Sequence, residues 1–261
     1  MTVTISGVTK RFITLIWRVK KLRSVNYSAN INGIEYSVDY SDALVDGTLI
    51  PLLRHLSQLH TTEKGSRVIV MLAAPPGTGK STLVSFLEHL AKSVIPDKRV
   101  QAVGMDGFHL RQEYLLTHTF ELDGEEIPMA RIKGAPITFD LQALRTKIEE
   151  AAQGQICKWP HYDRQLHDPV DDAITIDADI VLIEGNYLLL DMDGWRELSQ
   201  YADYTIALTA DADMLRERLI ARKMKTGMTR EDAERFVAFS DMPNVRLCLD
   251  KTMKADLELS V

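Results

Sequence analysis

Val68-Ile-Val-Met-Leu-Ala-Ala74-Pro75-Pro76-Gly77-Thr78-Gly79-Lys80-Ser81-Thr82 is the stretch whose reading decides the fold. Its apolar run, Val68 to Ala73, predicts a strand buried on both faces, and the residues from Lys80 to Ser93 predict a helix. Between the two, Gly77 and Gly79 let the backbone curl so that successive N–H groups point inward, while the helix adds the positive end of its dipole. Such a nest binds phosphate. The pattern is a Walker A signature with Ala74 where the first Gly usually stands, and its strand-loop-helix context is satisfied. Pro76, Gly77, Thr78, Gly79, Lys80, Ser81 and Thr82 therefore form the expected nucleotide site. Lys80 bridges the β- and γ-phosphates of ATP, the Ser81 hydroxyl is a ligand for Mg2+, and Thr82 meets the α-phosphate. A plain Gly-rich turn is the competing reading, but the Lys-Ser pair serves no packing need.

Downstream, short apolar strands alternate with amphipathic helices, the pattern of a parallel sheet covered on both faces. Strands are expected at Val68 to Ala73, Val100 to Met105, Ile180 to Glu184, Tyr204 to Leu208 and Asp256 to Val261. Helices are expected at Lys80 to Ser93, Leu141 to Gln153, Trp195 to Tyr201, Ala212 to Lys223 and Arg230 to Phe239, the last opened by Thr229 and Asp232 in a capping arrangement. Upstream, residues 25 to 40 alternate as a hairpin around Asn32-Gly33, with Ile34, Tyr36, Val38 and Tyr40 on one face. A helix from Thr48 to His60 follows, with Pro51 in its first turn, and Thr61 to Ser66 reads as a linker. The expected fold class is thus α/β, a three-layer P-loop NTPase fold with a mostly parallel central sheet plus an N-terminal β-hairpin and helix. The expected division is an extension over 1–23 that need not be ordered, a hairpin-helix unit over 24–66 packed on the core, and a P-loop domain over 67–261.

A P-loop specifies a nucleotide and leaves the reaction open. No N-K-x-D guanine-reading sequence is present, and Asp191 to Gly194 only mimics the D-x-x-G switch of a GTPase. The strand Ile180-Val-Leu-Ile-Glu184-Gly185 ends in a single Glu, which suits a small-molecule kinase better than a motor. A second strand, Val103-Gly104-Met105-Asp106-Gly107-Phe108-His109, ends in an acid before a Gly turn, so Asp106 should reach the ligand edge of the sheet. A carboxylate there can accept the proton of an attacking hydroxyl and orient it in line with the γ-phosphorus. His109 is either a substrate contact or a packing residue.

The ordered segments Ala74-Pro-Pro-Gly-Thr-Gly-Lys-Ser81, Met105-Asp-Gly-Phe-His109, Lys133-Gly-Ala-Pro-Ile-Thr-Phe-Asp140, Pro160-His-Tyr-Asp-Arg-Gln-Leu-His167 and Val181-Leu-Ile-Glu-Gly185 resemble the phosphoribulokinase, uridine kinase and bacterial pantothenate kinase family. The resemblance covers about residues 67 to 261 and is nearest to a bacterial branch described as fructose-transport or nucleoside-type kinases. It implies that Asp106 is the catalytic acid-base group and Glu184 the carboxylate near the metal. It also implies that Tyr162 and His167 hold the acceptor, with Asp163 and Arg164 beside them in a loop. Lys133, followed by Gly134, resembles the pantothenate kinase version. The helix Asp213-Met-Leu-Arg216-Glu-Arg218-Leu-Ile-Ala-Arg222-Lys223 resembles the lid, expected around 213–235, whose Arg218 and Arg222 close over the triphosphate; Gly227 and Thr229 could serve as its hinge.

Composition agrees. At 261 residues and 45% hydrophobic content the chain can bury one substantial core, and a net charge of -6 argues against a polyanion-binding protein. Cys157 and Cys248 are the two cysteines, without C-x-x-C spacing, which points to a reducing compartment, the cytoplasm. Apolar runs are too short for a membrane span. The expected partner is a small-molecule acceptor, a sugar, nucleoside or pantothenate-like metabolite, with no nucleic acid, no membrane, and a homodimer left open. A nucleotide-dependent switch or regulatory ATPase without an acceptor is the alternative.

Overall fold

The computed structural model describes residues 24–31, 34–60 and 67–261. The Asn32-Gly33 turn, the 61–66 linker and the 1–23 extension lie outside the described residues. Strands β1 (Ser24–Ile31) and β2 (Ile34–Ser41) pair antiparallel and lead into helix α1 (Ile50–Leu59). β3 (Val68–Ala73), α2 (Lys80–Val94) and β4 (Val100–Gly104) follow, then the short helix α3 (Gln112–Thr117) and the small hairpin β5 (Thr119–Leu122) and β6 (Glu125–Pro128). α4 (Leu141–Ala152) precedes a longer hairpin, β7 (Cys157–Asp163) and β8 (Asp168–Ile176). The chain closes with β9 (Ile180–Gly185), β10 (Tyr204–Thr209), α5 (Ala212–Lys225), α6 (Arg230–Phe236), α7 (Met242–Lys251) and β11 (Leu257–Ser260).

Five of these strands form one parallel sheet in the order β11-β10-β3-β9-β4. Period-two alternation along β3 sorts its side chains between two cores. Ile69, Met71 and Ala73 pack with Val103, Ile183, Leu144, Ile148, Trp159 and Tyr187 on one face. Val68, Val70 and Leu72 pack with Leu83, Phe86 and Leu87 of α2 and Leu52, Leu53 and Leu56 of α1 on the other. The central strands β3 and β9 are thereby buried on both faces, as their uninterrupted apolar runs require. The N-terminal hairpin rides on α2, where Tyr40 stacks on Phe86 at 4.4 Å and Tyr27 lies 5.1 Å from the same ring.

Several local expectations change. The helix expected to run from Arg230 to Phe239 stops at Phe236 and widens over Val237–Asp241 before α7. A second wide turn, Val45–Leu49, precedes α1. In each case a proline sits in the first turn of the next helix, Pro51 or Pro243, and the N–H it lacks forces the local ladder to find another pairing. The Pro160 to His167 stretch, expected as a loop, is the end of β7 and the turn into β8. Cys157 and Trp159 are buried with Lys158 exposed between them, a two-residue period too short to stand out in sequence. The segment at 195–201 is a tight three-residue-per-turn helix, Arg196–Tyr201, in place of an α-helix.

Candidate active site

β3 delivers the chain to a loop in which Gly77 and Gly79 take φ of 88° and 90°, the left-handed region open to glycine at little cost. Thr78 braces the loop by donating its hydroxyl to the Pro75 carbonyl at 2.9 Å. Gly79 opens α2 with no side-chain cap, and a Cβ there would meet nothing within 4 Å. Uncapped amides at a helix start, facing open space, are what a phosphate chain needs. Pro76 and Thr82 are buried beneath, while Lys80 and Ser81 are half-buried.

β9 and β4, neighbours in the sheet, bring Glu184 and Asp106 to the same carboxyl edge. Ser81 Oγ donates to Glu184 Oε1 at 2.7 Å. Ser81, Asp106, Glu184 and Tyr162 all line one cleft of about 220 Å3. Burial pushes the Asp106 carboxyl up, but the positive groups around it, His109, Lys80, Arg164 and Arg222, outweigh burial and hold it below its ordinary value. Glu184 moves the other way, raised chiefly by burial and further by Asp106, against the pull of Lys80. Of the two, Asp106 is the more readily ionised. Burial keeps His109 below its ordinary value, against the upward pull of Asp106.

Ionising Glu184 opposes folding, because the folded state keeps its proton at a pH where the unfolded chain has lost it. Stability from this group is present at low pH and falls as pH rises from the unfolded value through the raised folded one; Asp106, with its depressed value, contributes stability that is lost as pH falls through its folded value. Glu184→Gln should flatten the first slope, so that urea unfolding at pH 5 and pH 8 differs less in the variant than in the parent. An unchanged difference would mean that Glu184 titrates normally.

The remaining predicted site residues fall into two groups. His109, Tyr162 and Lys133 cluster beside Asp106. The His109 ring lies 4.0 Å from Phe139 and 5.0 Å from Tyr162, and its Nδ1 is 2.8 Å from the Asp106 carbonyl oxygen. A carbonyl only accepts, so the proton belongs on Nδ1 and Nε2 is left to accept. Burial, then Asp106, pushes the Tyr162 phenol up to about 12, keeping it neutral. Lys133 Nζ lies 5.0 Å from the Tyr162 ring and donates to Gln112 Oε1 at 2.6 Å and to the His167 carbonyl at 2.7 Å. Asp163, Arg164 and His167 form the β7–β8 turn. Asp163 Oδ1 accepts from the Gln165 and Leu166 amides, His167 takes φ of 55°, and Arg164 is exposed although its charge reaches Asp106 and Glu184.

α5 packs directly over the phosphate loop. A Cβ on Gly77 would lie 3.2 Å from Leu219 Cγ, and Leu215 and Leu219 are fully buried among Ala233, Val237, Met242 and Val245. Arg222 is half-buried and acts on Asp106; Arg218, one turn earlier, is exposed. The apex between α5 and α6 is exposed, with Gly227 at φ of 97° and Thr229 capping α6 through the Asp232 amide at 3.1 Å. Several groups escaped the sequence reading: Trp159, whose Nε1 donates to the Gly104 carbonyl at 2.9 Å, and Asn30, His161, Ser85 and Glu88, which line the cleft. The last two follow Ser81 by four and seven residues, a helical spacing that could have revealed them. The GTPase-like Asp191 and Asp193 are paired with Arg196.

The profile of the phosphoribulokinase / uridine kinase family matches residues 69–260. YggC of Escherichia coli (strain K12) is 41% identical over 227 residues, covering 87% of this chain and 92% of that one. A pantothenate kinase of Lactiplantibacillus plantarum is 30% identical over 169 residues, 63% of this chain and 52% of its own. Among solved structures, a Silicibacter sp. TM1040 protein provisionally named a fructose transport system kinase superposes with a TM-score of 0.71 at 29% identity, covering 81% of this chain and 98% of that one. The nest, the paired carboxylates and the overlying helix thus occur in a chain that belongs to the phosphoribulokinase / uridine kinase family, and the protein is an ATP-dependent phosphotransferase of the P-loop kinase type.

Proposed function

We propose that the protein transfers the γ-phosphoryl group of ATP to a hydroxyl of a small metabolite, a sugar or sugar-like polyol before a nucleoside or a pantothenate-like compound. The observation that carries this reading is that Ser81, Glu184 and Asp106 line a single cleft beside the phosphate nest. In this reading Lys80 and the loop amides bind the β- and γ-phosphates, Arg222 and Arg218 neutralise them from above, and Asp106 takes the proton of the attacking hydroxyl while aiming its oxygen at the γ-phosphorus. His109, Lys133, Tyr162 and the turn residues Asp163, Arg164 and His167 shape the acceptor side.

Mg2+ fits the same reading. Such an ion is held mostly by phosphates and water, with few protein ligands. Ser81 and Glu184 would be its protein ligands, and the ion would neutralise phosphate charge. Among the described residues no helix is long and apolar enough to cross a membrane.

The test is a coupled ADP-release assay with MgATP and a panel of sugars, polyols, nucleosides and pantothenate. ADP should appear only when one panel member is added. Acceptor-independent turnover, or tight ATP binding with no turnover on any member, would instead support a nucleotide-dependent switch.

A further inference from the structure

The P-loop helix carries a polar stripe beyond Ser81. Ser81, Ser85 and Glu88 recur at i, i+4 and i+7 on one face of α2, and all three line the cleft that holds Asp106 and Glu184. Glu88 is half-buried, and its Oε2 accepts from the Ala102 amide of edge strand β4 at 3.1 Å, which holds the carboxylate in place. Asn30 of β1 lines the same cleft. The hairpin that carries it is latched to α2, where the Tyr27 hydroxyl donates to the Ser85 carbonyl at 3.1 Å and lies 2.8 Å from its Oγ. That hairpin precedes the segment matched by the family profile.

Size and charge narrow what this end of the cleft can take. The whole cleft, about 220 Å3, is smaller than the ~300–1,000 Å3 of most ligand sites, so a molecule of monosaccharide size fits it better than a base joined to a sugar. No lysine or arginine is among the residues lining it, and His161 is the one imidazole there. Asp106 and Glu184 sit where the phosphoryl group arrives, and Glu88 marks the other end. Carboxylates accept hydrogen bonds and repel anions, more strongly as water is excluded.

We propose that the Glu88 end of the cleft is an acceptor subsite for a small uncharged polyol, in which Glu88 accepts from substrate hydroxyls and discriminates against anionic acceptors. The proposal rests on the kinase reading above. Its test uses pairs that differ in one carboxylate, alditols against aldonic acids and hexoses against uronic acids, with nucleosides and pantothenate alongside. The parent should favour a neutral member over its acid by about tenfold in kcat/KM. Glu88→Gln keeps the shape and an acceptor for the Ala102 amide, so it should shrink that preference at least about threefold with KM for MgATP unchanged. Glu88→Ala should raise the acceptor KM by about tenfold. A purely structural role would leave the neutral-to-acid ratio where it was. That result, or preference for an acid or a nucleoside, overturns the subsite while the kinase reading stands. Failure of every compound to accept phosphate overturns both.

Discussion

Asp106→Asn should bind MgATP within about twofold of the parent and lose about 10²–10⁴-fold in kcat for phosphoryl transfer, the range over which a positioned acid-base group acts. Asparagine keeps the shape and can still accept a hydrogen bond from the acceptor, but it cannot take the proton. The parent carboxylate suits that task because His109, then Lys80, Arg164 and Arg222, hold it below its ordinary value in spite of its burial. A second signature accompanies the first. Asp106 is one of the groups that raises Glu184, so in the variant Glu184 should titrate nearer its ordinary value, and the flattening of the pH 5 to pH 8 stability difference expected for Glu184→Gln should appear in part here. Single-turnover transfer and equilibrium nucleotide binding separate the two effects. Turnover equal to the parent would remove Asp106 from its assigned role.

Gly107→Ala should unfold at a temperature several degrees lower and lose activity together with stability. A Cβ at this position would lie 2.2 Å from the Pro160 carbonyl oxygen, 2.5 Å from its carbon and 3.0 Å from the His161 nitrogen. All three are backbone atoms of β7, so no side chain can swing away, and either the strand or the Met105 to Phe108 turn must move. Overpacking of this kind costs about 1–3 kcal/mol, a shift of several degrees in Tm for a domain of this size. The same junction is pinned by the Trp159 bond to Gly104 and by the edge-on contact of Phe108 with Trp159 at 4.9 Å. Moving it displaces Asp106 on one side and Tyr162 on the other. Gly47→Ala is the matched control, since a Cβ there meets nothing within 4 Å and glycine in a helical turn is replaced at little cost. Gly107→Ala with the Tm and kcat of the parent would show that β7 and the turn shift freely, and the close fit between them would have no bearing on the site.

The two variants probe different levels of the same argument. Asp106 was legible because a strand that ends in an acid and a glycine has few structural uses, and a parallel sheet sends such ends to one edge. The importance of Gly107 was not legible. Its constraint comes from a strand more than fifty residues later, and nothing in the local sequence announces that approach. The β7–β8 hairpin was missed for a related reason: Pro160 and the turn residues Asp163 to His167 mask a period-two pattern that only Cys157 and Trp159 express. The polar stripe of α2 was available as a spacing, but its meaning depended on β4 being the edge strand, so that the cleft lies open beside it.

The sequence by itself determined the parallel sheet, the phosphate nest and the identity of the acids at its carboxyl edge, because each rests on short-range physics: burial period, positive φ at glycine, and a helix dipole behind a loop. Only the tertiary structure decided which way burial and neighbouring charge move each acid, which arginine of α5 acts on Asp106 and what walls the cleft. Those depend on desolvation and on charges brought together from segments scattered along the chain, quantities that do not exist until the sheet has been assembled.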